Sequence, residues 1–534
     1  MIGTSSGETL TGSAQDDYLG GNDGVDTLNA GFGHDVLFGG SGDDQLNGGS
    51  GDDVYLVGEA LSGNDTILTG GGIDRVDLHS NAHMAALYTT GNNLNIEFDD
   101  QNDNTYTVVV TDHLIGGQEL SEIRFDIDED GTEVTYTVAT TLSAAAGVDT
   151  AIGGTTANET LTGNTGDDVL FGHDGNDRLI GDDGNDFLDG GDGDDTLEGG
   201  AGDDIFFASD GDDTMTAGAG TDTLVVDDFF ELEAAVYNGT DLTFDFIDDT
   251  DTAHSVLVQG HDTSRLEQIN ADLDHDHEPE DYKMAVVGDD ITSATEDHLV
   301  IGSDNVDTMT GGDGNDVILG NAGADTLAGG AGDDWFDGGA GIDTIDGGAH
   351  GTHGDTISFH NATTAVVIDM SGGSTGDGTV THSTGNDTFQ GIENMEGGSA
   401  GDTLIGDNGN NEFLGLEGAD TLTGSTGSDV FTYESSADSN STDGIDVITD
   451  FDAGTSSTSV DQIDISGFVS GTFSFLGNEL QSFSGGGDAS ARFNDSTKLL
   501  EIDSDGDAAA DTEITLQNVS ISNLDDSDFD TGLG

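Results

Sequence analysis

Apolar residues along this chain do not recur at three and four, as the stripe of a helix requires; they stand alone, one in every nine positions. Between residues 154 and 225 the period repeats eight times without a break. The lone apolar positions there are Leu161, Leu170, Leu179, Leu188, Leu197, Phe206, Met215 and Leu224. The units from Gly163 to Phe207 read GNTGDDVLF, GHDGNDRLI, GDDGNDFLD, GGDGDDTLE and GGAGDDIFF. Position 1 is Gly or small, position 4 is usually Gly, position 6 is an acid and position 8 is the apolar residue. Such a unit predicts a tight six-residue turn followed by a three-residue strand, with glycines supplying the positive φ angles of the turn. The apolar side chain then points inward and stacks on its equivalents in neighbouring turns.

The pattern resembles the G-G-x-G-x-D-x-U-x repeat of the RTX family of secreted calcium-binding proteins. That resemblance implies an all-β fold of calcium-bound parallel β-rolls. Two repeats per coil place alternate position-6 acids on the same side, one coil apart. Two carboxylates ~5 Å apart repel by roughly 3 kcal/mol at an effective dielectric of about 20. A hard cation between them reverses the sign, and Ca²⁺ takes an all-oxygen shell of carboxylates and backbone carbonyls. The bland alternative is a flexible, acidic, glycine-rich linker, which fits the composition but not the fixed period.

The candidate ligands follow from position 6. In the central roll they are Asp168, Asp177, Asp186, Asp195, Asp204, Asp213 and Asp222, with Glu159 ahead of them. An earlier roll starts at Gly3 and carries Glu8, Asp17, Asp26, Asp35, Asp44 and Asp53, then Asp65 and Asp74 after a short insertion. A third roll carries Asp307, Asp316, Asp325, Asp334 and Asp343, and resumes with Asp402, Asn411, Asp420 and Asp429. Asn411 lacks the charge of the others and is the doubtful member.

Expected domains are therefore a first roll over 1–77, a β-rich insert over 78–153 and the central roll over 154–225. A second insert over 226–301, the third roll over 302–432 with an excursion at 347–396, and a β-rich C-terminal domain over 433–534 complete the chain. The inserts resemble one another: Leu242 to Phe246 answers Leu94 to Phe98, and Ser255 to Val258 answers Thr107 to Val110. Each reaches a D-x-D-x-D string, at Asp126, Asp128, Asp130 and at Asp272, Asp274, Asp276. The strings open a calcium loop or form acidic hairpins; Thr137 stands where the closing Glu of an EF-hand loop belongs.

The last hundred residues read IDVITDF, DQIDIS, LLEIDSDGDAAAD and NLDDSDF in order. This run, about Asp429 to Phe529, resembles the C-terminal domain of serralysin-type secreted proteases and related type I secretion targets. It implies export by a one-step ATP-driven channel. No signal peptide is expected, since Met1-Ile2-Gly3 runs straight into a repeat. Asp503, Asp505, Asp507 and Asp511 are candidates for one further calcium.

Composition narrows the partners. Seven Lys plus Arg against 110 Asp plus Glu give −103 over 534 residues, a charge that repels nucleic acid and anionic membrane. Cysteine is absent, which removes disulfides and thiol chemistry, and no apolar run is long enough to span a bilayer. The zinc signature H-E-x-x-H of the serralysin proteases is missing; His277-Glu278 is followed by Pro279. Gly397 to Gly401 spells G-x-S-x-G, but it opens a nonapeptide and lacks the strand and helix of a nucleophile elbow. His275 with His277, and His350 with His353, read as exposed polar loops more readily than as transition-metal pairs.

The expectation is a secreted, non-enzymatic structural protein that folds on extracellular Ca²⁺ and self-assembles, as a homo-oligomer or polymer, into a surface layer, fibre or matrix. The alternative is a polysaccharide-binding accessory module, since related rolls accompany alginate epimerases. Only Met1 and Ile2 precede the first repeat, so its first coil is expected to lie uncovered and to pair with another chain.

Overall fold

A nonapeptide buries one side chain, so it can hold only one short strand before it must turn. In this computed structural model the repeats do so throughout. The structure describes residues 1–4, 6–57, 63–71, 73–78, 83–90, 93–99, 105–110, 120, 122–125, 134–138, 147–226, 230–238, 240–248, 253–261, 266–271, 280–286, 296–372, 376–442, 444–453, 460–469, 473–478, 483, 489–504, 509–520, 524 and 528–531. Among them there is no α-helix, and the chain winds as a parallel β-solenoid. It divides into two compact units, one over 1–234, 240–272 and 277–280, the other over 235–239, 273–276 and 281–534.

In the first unit, Thr160–Thr165, Arg178–Asp183, Thr196–Ala201 and Asp212–Ala219 stack in parallel. Leu161 lies beside Leu179, Leu179 beside Leu197, and Leu197 beside Met215, each step 18 residues. The intervening repeats form the opposite wall, Val169–Phe171, Phe187–Asp189, Ile205–Ala208 and Thr223–Val226, again in steps of 18. The apolar residues of both walls meet between them: Leu161, Leu170, Leu179, Leu188, Phe206 and Met215 are fully buried. Each such side chain contributes about 1.5–3 kcal/mol. The first roll has the same construction, with Leu19, Leu28, Leu37, Leu46, Tyr55, Ile67 and Val76 inside. Tyr55 is long enough to reach the far turn, where its hydroxyl donates to the Leu68 carbonyl at 3.0 Å and accepts the Gly48 N–H at 3.1 Å. Leu10, in the first coil, is only partly buried.

A roll ends in strands with unpaired edges, and the segments that follow close them. Thr105–Val110 adds in parallel to Thr66–Gly71, and Asn93–Asp99 pairs antiparallel with it, Leu94 opposite Val110. After the central roll, Ala253–Val258 adds to Asp212–Ala219, and Leu242–Asp248 pairs antiparallel with it, Leu242 opposite Val258. On the other wall Ile123 pairs with Val76, and Ile269 pairs with Leu224. The two segments thus extend their rolls by equivalent strands in equivalent register.

The second unit keeps the two-walled plan over a longer run. Thr308–Asp313, Thr326–Ala331 and Thr344–Ala349 are followed on the same wall by Asn386–Gln390. Val317–Leu319, Trp335–Asp337, Thr356–Ile357, Asn394–Glu396, Glu412–Leu414 and Val430–Thr432 make the other wall. Asp446–Ile448 and Gln462–Asp464 continue the walls in parallel. Beyond them Ala489–Asn494, Leu499–Asp503 and Thr512–Leu516 form an antiparallel sheet around Phe493, Leu500, Ile502 and Ile514.

Candidate metal centres

The alternation of walls brings every second position-6 residue into one row. Along each row the backbone N–H of one residue donates to the Oδ1 of the next Asp, one coil on. In the central roll Asp168 donates to Asp186, Asp186 to Asp204, and Asp204 to Asp222, at 2.8–3.0 Å. The facing row runs from Glu159 through Asp177 and Asp195 to Asp213 at 2.6–2.9 Å. The first roll has rows Glu8, Asp26, Asp44, Asp65 and Asp17, Asp35, Asp53, Asp74. The second unit links Asp307, Asp325 and Asp343, joins Asp316 to Asp334, and connects Asp402 to Asp420 and Asn411 to Asp429. All the position-6 aspartates proposed from the repeat therefore stand in such rows.

The second carboxylate oxygen is the notable one. Oδ2 of Asp26, Asp35, Asp44, Asp53, Asp168, Asp177, Asp186, Asp195, Asp204, Asp222, Asp316, Asp325, Asp334, Asp343 and Asp420 is buried with no hydrogen-bond partner. A buried, unsatisfied carboxylate oxygen is costly. It lies in the hollow above the position-1 glycine of its own repeat: a Cβ on Gly190 or Gly329 would run into Oδ2 of Asp195 or Asp334. Carbonyl oxygens from the next coil enter the same hollows, as Gly199 O does at Gly181 and Gly347 O at Gly329. Carboxylate and carbonyl oxygens, with no competing donor, make the donor set a hard divalent cation takes. The residues fit calcium.

Electrostatics points the same way. Burial, reinforced by Asp213 and Asp177, pushes Asp195 up to about 8. Burial with the charges of Asp186 and Asp222 does the same to Asp204, and burial with Asp446 and Asp402 lifts Asp420 to about 9. Without a cation, such groups hold protons near neutrality; a divalent ion takes the place of those protons.

Four members of the rows were not evident from the repeat. Asp334 donates to Asp355, Asp343 to Asp387, Asp420 to Asp446 and Asp429 to Asp461, at 2.8–3.1 Å. All four are buried; Oδ2 of Asp355 and Asp446 is unpartnered, and Oδ2 of Asp387 faces His382 Nε2 at 2.9 Å. Their signal was the second half of the nonapeptide alone: HGDTI, GNDTF, GIDVI and SVDQI keep the acid and, two residues on, the apolar position.

The turns come in two forms. In the regular turns position 2 is left-handed, as at Asn22, Gly31, His173, Asp182, Gly191, Gly200, Asn321 and Gly330. The turns ending in Glu8, Asp17, Glu159 and Asp307 have Thr4, Ser13, Thr155 and Ser303 at position 2, none of them left-handed. There the position-2 N–H donates to the second carboxylate oxygen at 2.6–2.8 Å, and the hydroxyl donates to the same carboxylate. These bonds hold Asp17 below the usual carboxylate range. Gly398 N–H closes Asp402 likewise, at 2.7 Å. Asn411 accepts the Asp407 N–H and donates its amide to the Glu393 carbonyl at 2.7 Å.

A second, outer row runs along position 5. Here the side-chain oxygen accepts from the N–H one coil later: Asp43 from Asn64, Asp167 from Asn185, Asp203 from Thr221, Asp194 from Asp212. Asp43, Asp167, Asp194 and Asp203 face solvent.

Other candidates separate from these rows. Ser399 is exposed in a turn, its N–H bonded to the Ala362 carbonyl. His350 is exposed beside Glu393 and His353 beside Asp333, whose carboxylate accepts the N–H groups of Gly351, Thr352, His353 and Gly354. Asp503 is buried, and Asp511 accepts the N–H and hydroxyl of Ser504 at 2.8 Å. Asp505, Asp507, both D-x-D-x-D strings, and His275 with His277 lie outside the described residues.

A parallel β-solenoid lined by stacked, metal-seeking carboxylates defines the class of calcium β-roll proteins. Comparison with known families agrees. The RTX calcium-binding nonapeptide repeat matches residues 2–37, 20–55, 59–78, 153–188, 189–224 and 301–336. The serralysin C terminal of peptidase M10 matches residues 336–529. By these matches the rolls belong to the RTX calcium-binding family, whose repeats bind many Ca²⁺ ions, and the chain is of the type I secreted, extracellular kind. No curated protein matches it. Among solved structures it is similar to the extracellular lipase LipA from Serratia marcescens, at 21% identity over 47% of this chain and 38% of that one, TM-score 0.19. The alignment therefore spans well under half of the lipase.

Proposed function

We propose that this secreted calcium-binding protein is structural: its rolls fold on meeting extracellular calcium, and the folded chains associate into a layer, fibre or matrix. The observation that carries the reading is the succession of buried, unpartnered Asp Oδ2 atoms through both units. With one large apolar residue per repeat, the metal-free rolls bury too little to offset chain entropy, and the chain's formal net charge of −103 opposes its compaction. Calcium taken up only by the folded form adds RT ln(1 + [L]/Kd) per independent site. The position-6 aspartates whose second oxygen is buried and open, among them Asp26, Asp53, Asp168, Asp195, Asp325 and Asp420, act as ligands in this reading, joined by Asp355, Asp387 and Asp446. The solvent-facing position-5 carboxylates supply a second set of sites, at which a divalent cation can bridge one chain to the next.

Electron microscopy and sedimentation of the purified chain, with millimolar calcium and with chelator, test this. Calcium-dependent sheets, fibres or large particles are expected. A folded monomer in calcium that is retained on a uronate polymer would replace the structural role with polysaccharide binding.

A further inference from the structure

We infer that the Ser/Thr-closed turns are metal-free end rungs, so that Asp17 and Asp307 close their turns by hydrogen bonds and are not primary calcium ligands. The inference rests on the reading that the position-6 carboxylates hold calcium, and divides them into two groups.

The division follows from one backbone angle. A left-handed residue at position 2 leaves the carboxylate Oδ2 of its turn without a donor, as at Asp186 and Asp204, which follow Asp182 and Gly200. Gly and, among residues with a Cβ, short polar ones such as Asn and Asp tolerate that angle best; a β-branched Thr is strongly disfavoured there. Thr4, Ser13, Thr155 and Ser303 take the ordinary side of the map instead. Their N–H swings in and, with the hydroxyl, occupies the oxygen a cation would need. A cation there would have to displace two charge-assisted hydrogen bonds rather than fill an empty hollow.

Position in the chain explains why such turns exist. Glu8, Glu159 and Asp307 each donate to the first regular rung of a row and accept from no earlier Asp in the bonds described. The same place in the other rows is held by Thr150, His298 and Val366, none of them carboxylates, whose N–H groups serve Asp168, Asp316 and Asp402. Row starts are thus either non-acidic or closed from within. Asn411 is the interior counterpart, its amide reaching the Glu393 carbonyl. The rows therefore begin on turns that fold without metal, and calcium is confined to the open rungs that follow, Asp402, closed by Gly398, being excepted.

Native mass spectrometry of the full-length chain at saturating calcium tests this by ion count. Asp307→Asn keeps an acceptor for Ser303 and is expected to lose no ion, whereas Asp325→Asn is expected to lose at least one. Equal losses in the two variants would overturn the inference while leaving the calcium rows intact. No loss in either would instead remove Asp325 as a ligand, and with it the reading on which the inference rests. Should Asp307→Asn not fold, Ser303→Asn keeps Asp307 and puts at position 2 the residue type that is left-handed at Asn22, Asn164 and Asn321. It is expected to gain one ion, and an unchanged count would sink the idea.

Discussion

The central roll and the interrupted stretch from Asp334 to Asp461 reach one architecture from very different sequences. In the central roll every rung is 18 residues from the last. In the interrupted stretch the steps are 21, 44, 26 and 32 residues. Yet the inner bond keeps its length, the acid stays buried, and the next strand pairs in the same parallel sense. The lesson is that the unit of this fold is not nine residues. It is the five-residue core of acid, spacer and apolar residue with the two before it; chain between cores can grow. Loop-closure entropy explains the tolerance, since each doubling of a loop costs only about 0.6 kcal/mol.

That equivalence can be broken or sharpened, beginning with the largest effect. Chelation should unfold the calcium rungs of both regions together, seen as loss of most strand signal in circular dichroism and its return in millimolar calcium. Survival of the interrupted stretch alone would make it a different kind of structure. Next, cavity-forming changes should cost the two regions alike: Leu188→Ala and Phe389→Ala, each at a buried position-8 site, should destabilise by about 2–5 kcal/mol in calcium. Urea titration of the two variants decides it.

A smaller effect separates ligands. Asp195→Ala and Asp387→Ala should each raise the calcium midpoint of folding, by about tenfold or roughly 1.4 kcal/mol, whereas Asp52→Ala, in the outer row, should barely move it. Equal shifts in all three would remove position 6 as the ligand position. Acid provides a parallel check without metal. Asp195 and Asp355 stand at about 8 and about 7 through burial, against 3.8 when unfolded. The folded form then binds more protons between those values, so metal-free stability falls as pH rises from about 4 to 8. In chelator, strand content should therefore be higher at pH 5 than at pH 8, in both regions. The smallest effect is that of spacing: three residues added after Gly190 turn two 18-residue steps, Asp177 to Asp195 and Asp186 to Asp204, into 21, and should cost under about 1 kcal/mol.

The regular rolls were legible because period and chemistry coincide: the inward Leu161 to Leu224 and the acids Asp168 to Asp222 lie where spacing puts them. Asp65 and Asp74, nine residues apart, mark each other across a 21-residue step, whereas Asp355, Asp387, Asp446 and Asp461 were hidden because each stands singly, with no second unit nine residues away. Their short signal, an acid two residues before an apolar side chain, is common in so acidic a chain. The pairing of Thr105–Val110 with Thr66–Gly71 was equally hidden, since alternation marks a strand but not its neighbour. Ser or Thr at position 2 did not by itself mark the closed turns, since Ser425 is left-handed there and Gly398 closes Asp402; the backbone angle was needed.

The outer row of carboxylates has a consequence for how the chain meets salt. Residues 186–203 make one coil, with Asp192, Asp194 and Asp203 exposed. Coils repeat about every 4.8 Å, so these three residues alone place a charge about every 1.6 Å along the roll, as dense as the ~1.7 Å of duplex DNA. A line of charge that dense condenses counterions. Calcium then enters by exchange for monovalent ions already held there, and its apparent affinity should fall log-linearly with added sodium chloride, as for ligands of a polyelectrolyte. Winding the roll is in this sense an ion exchange, driven by the salt it releases as well as by the calcium it takes up.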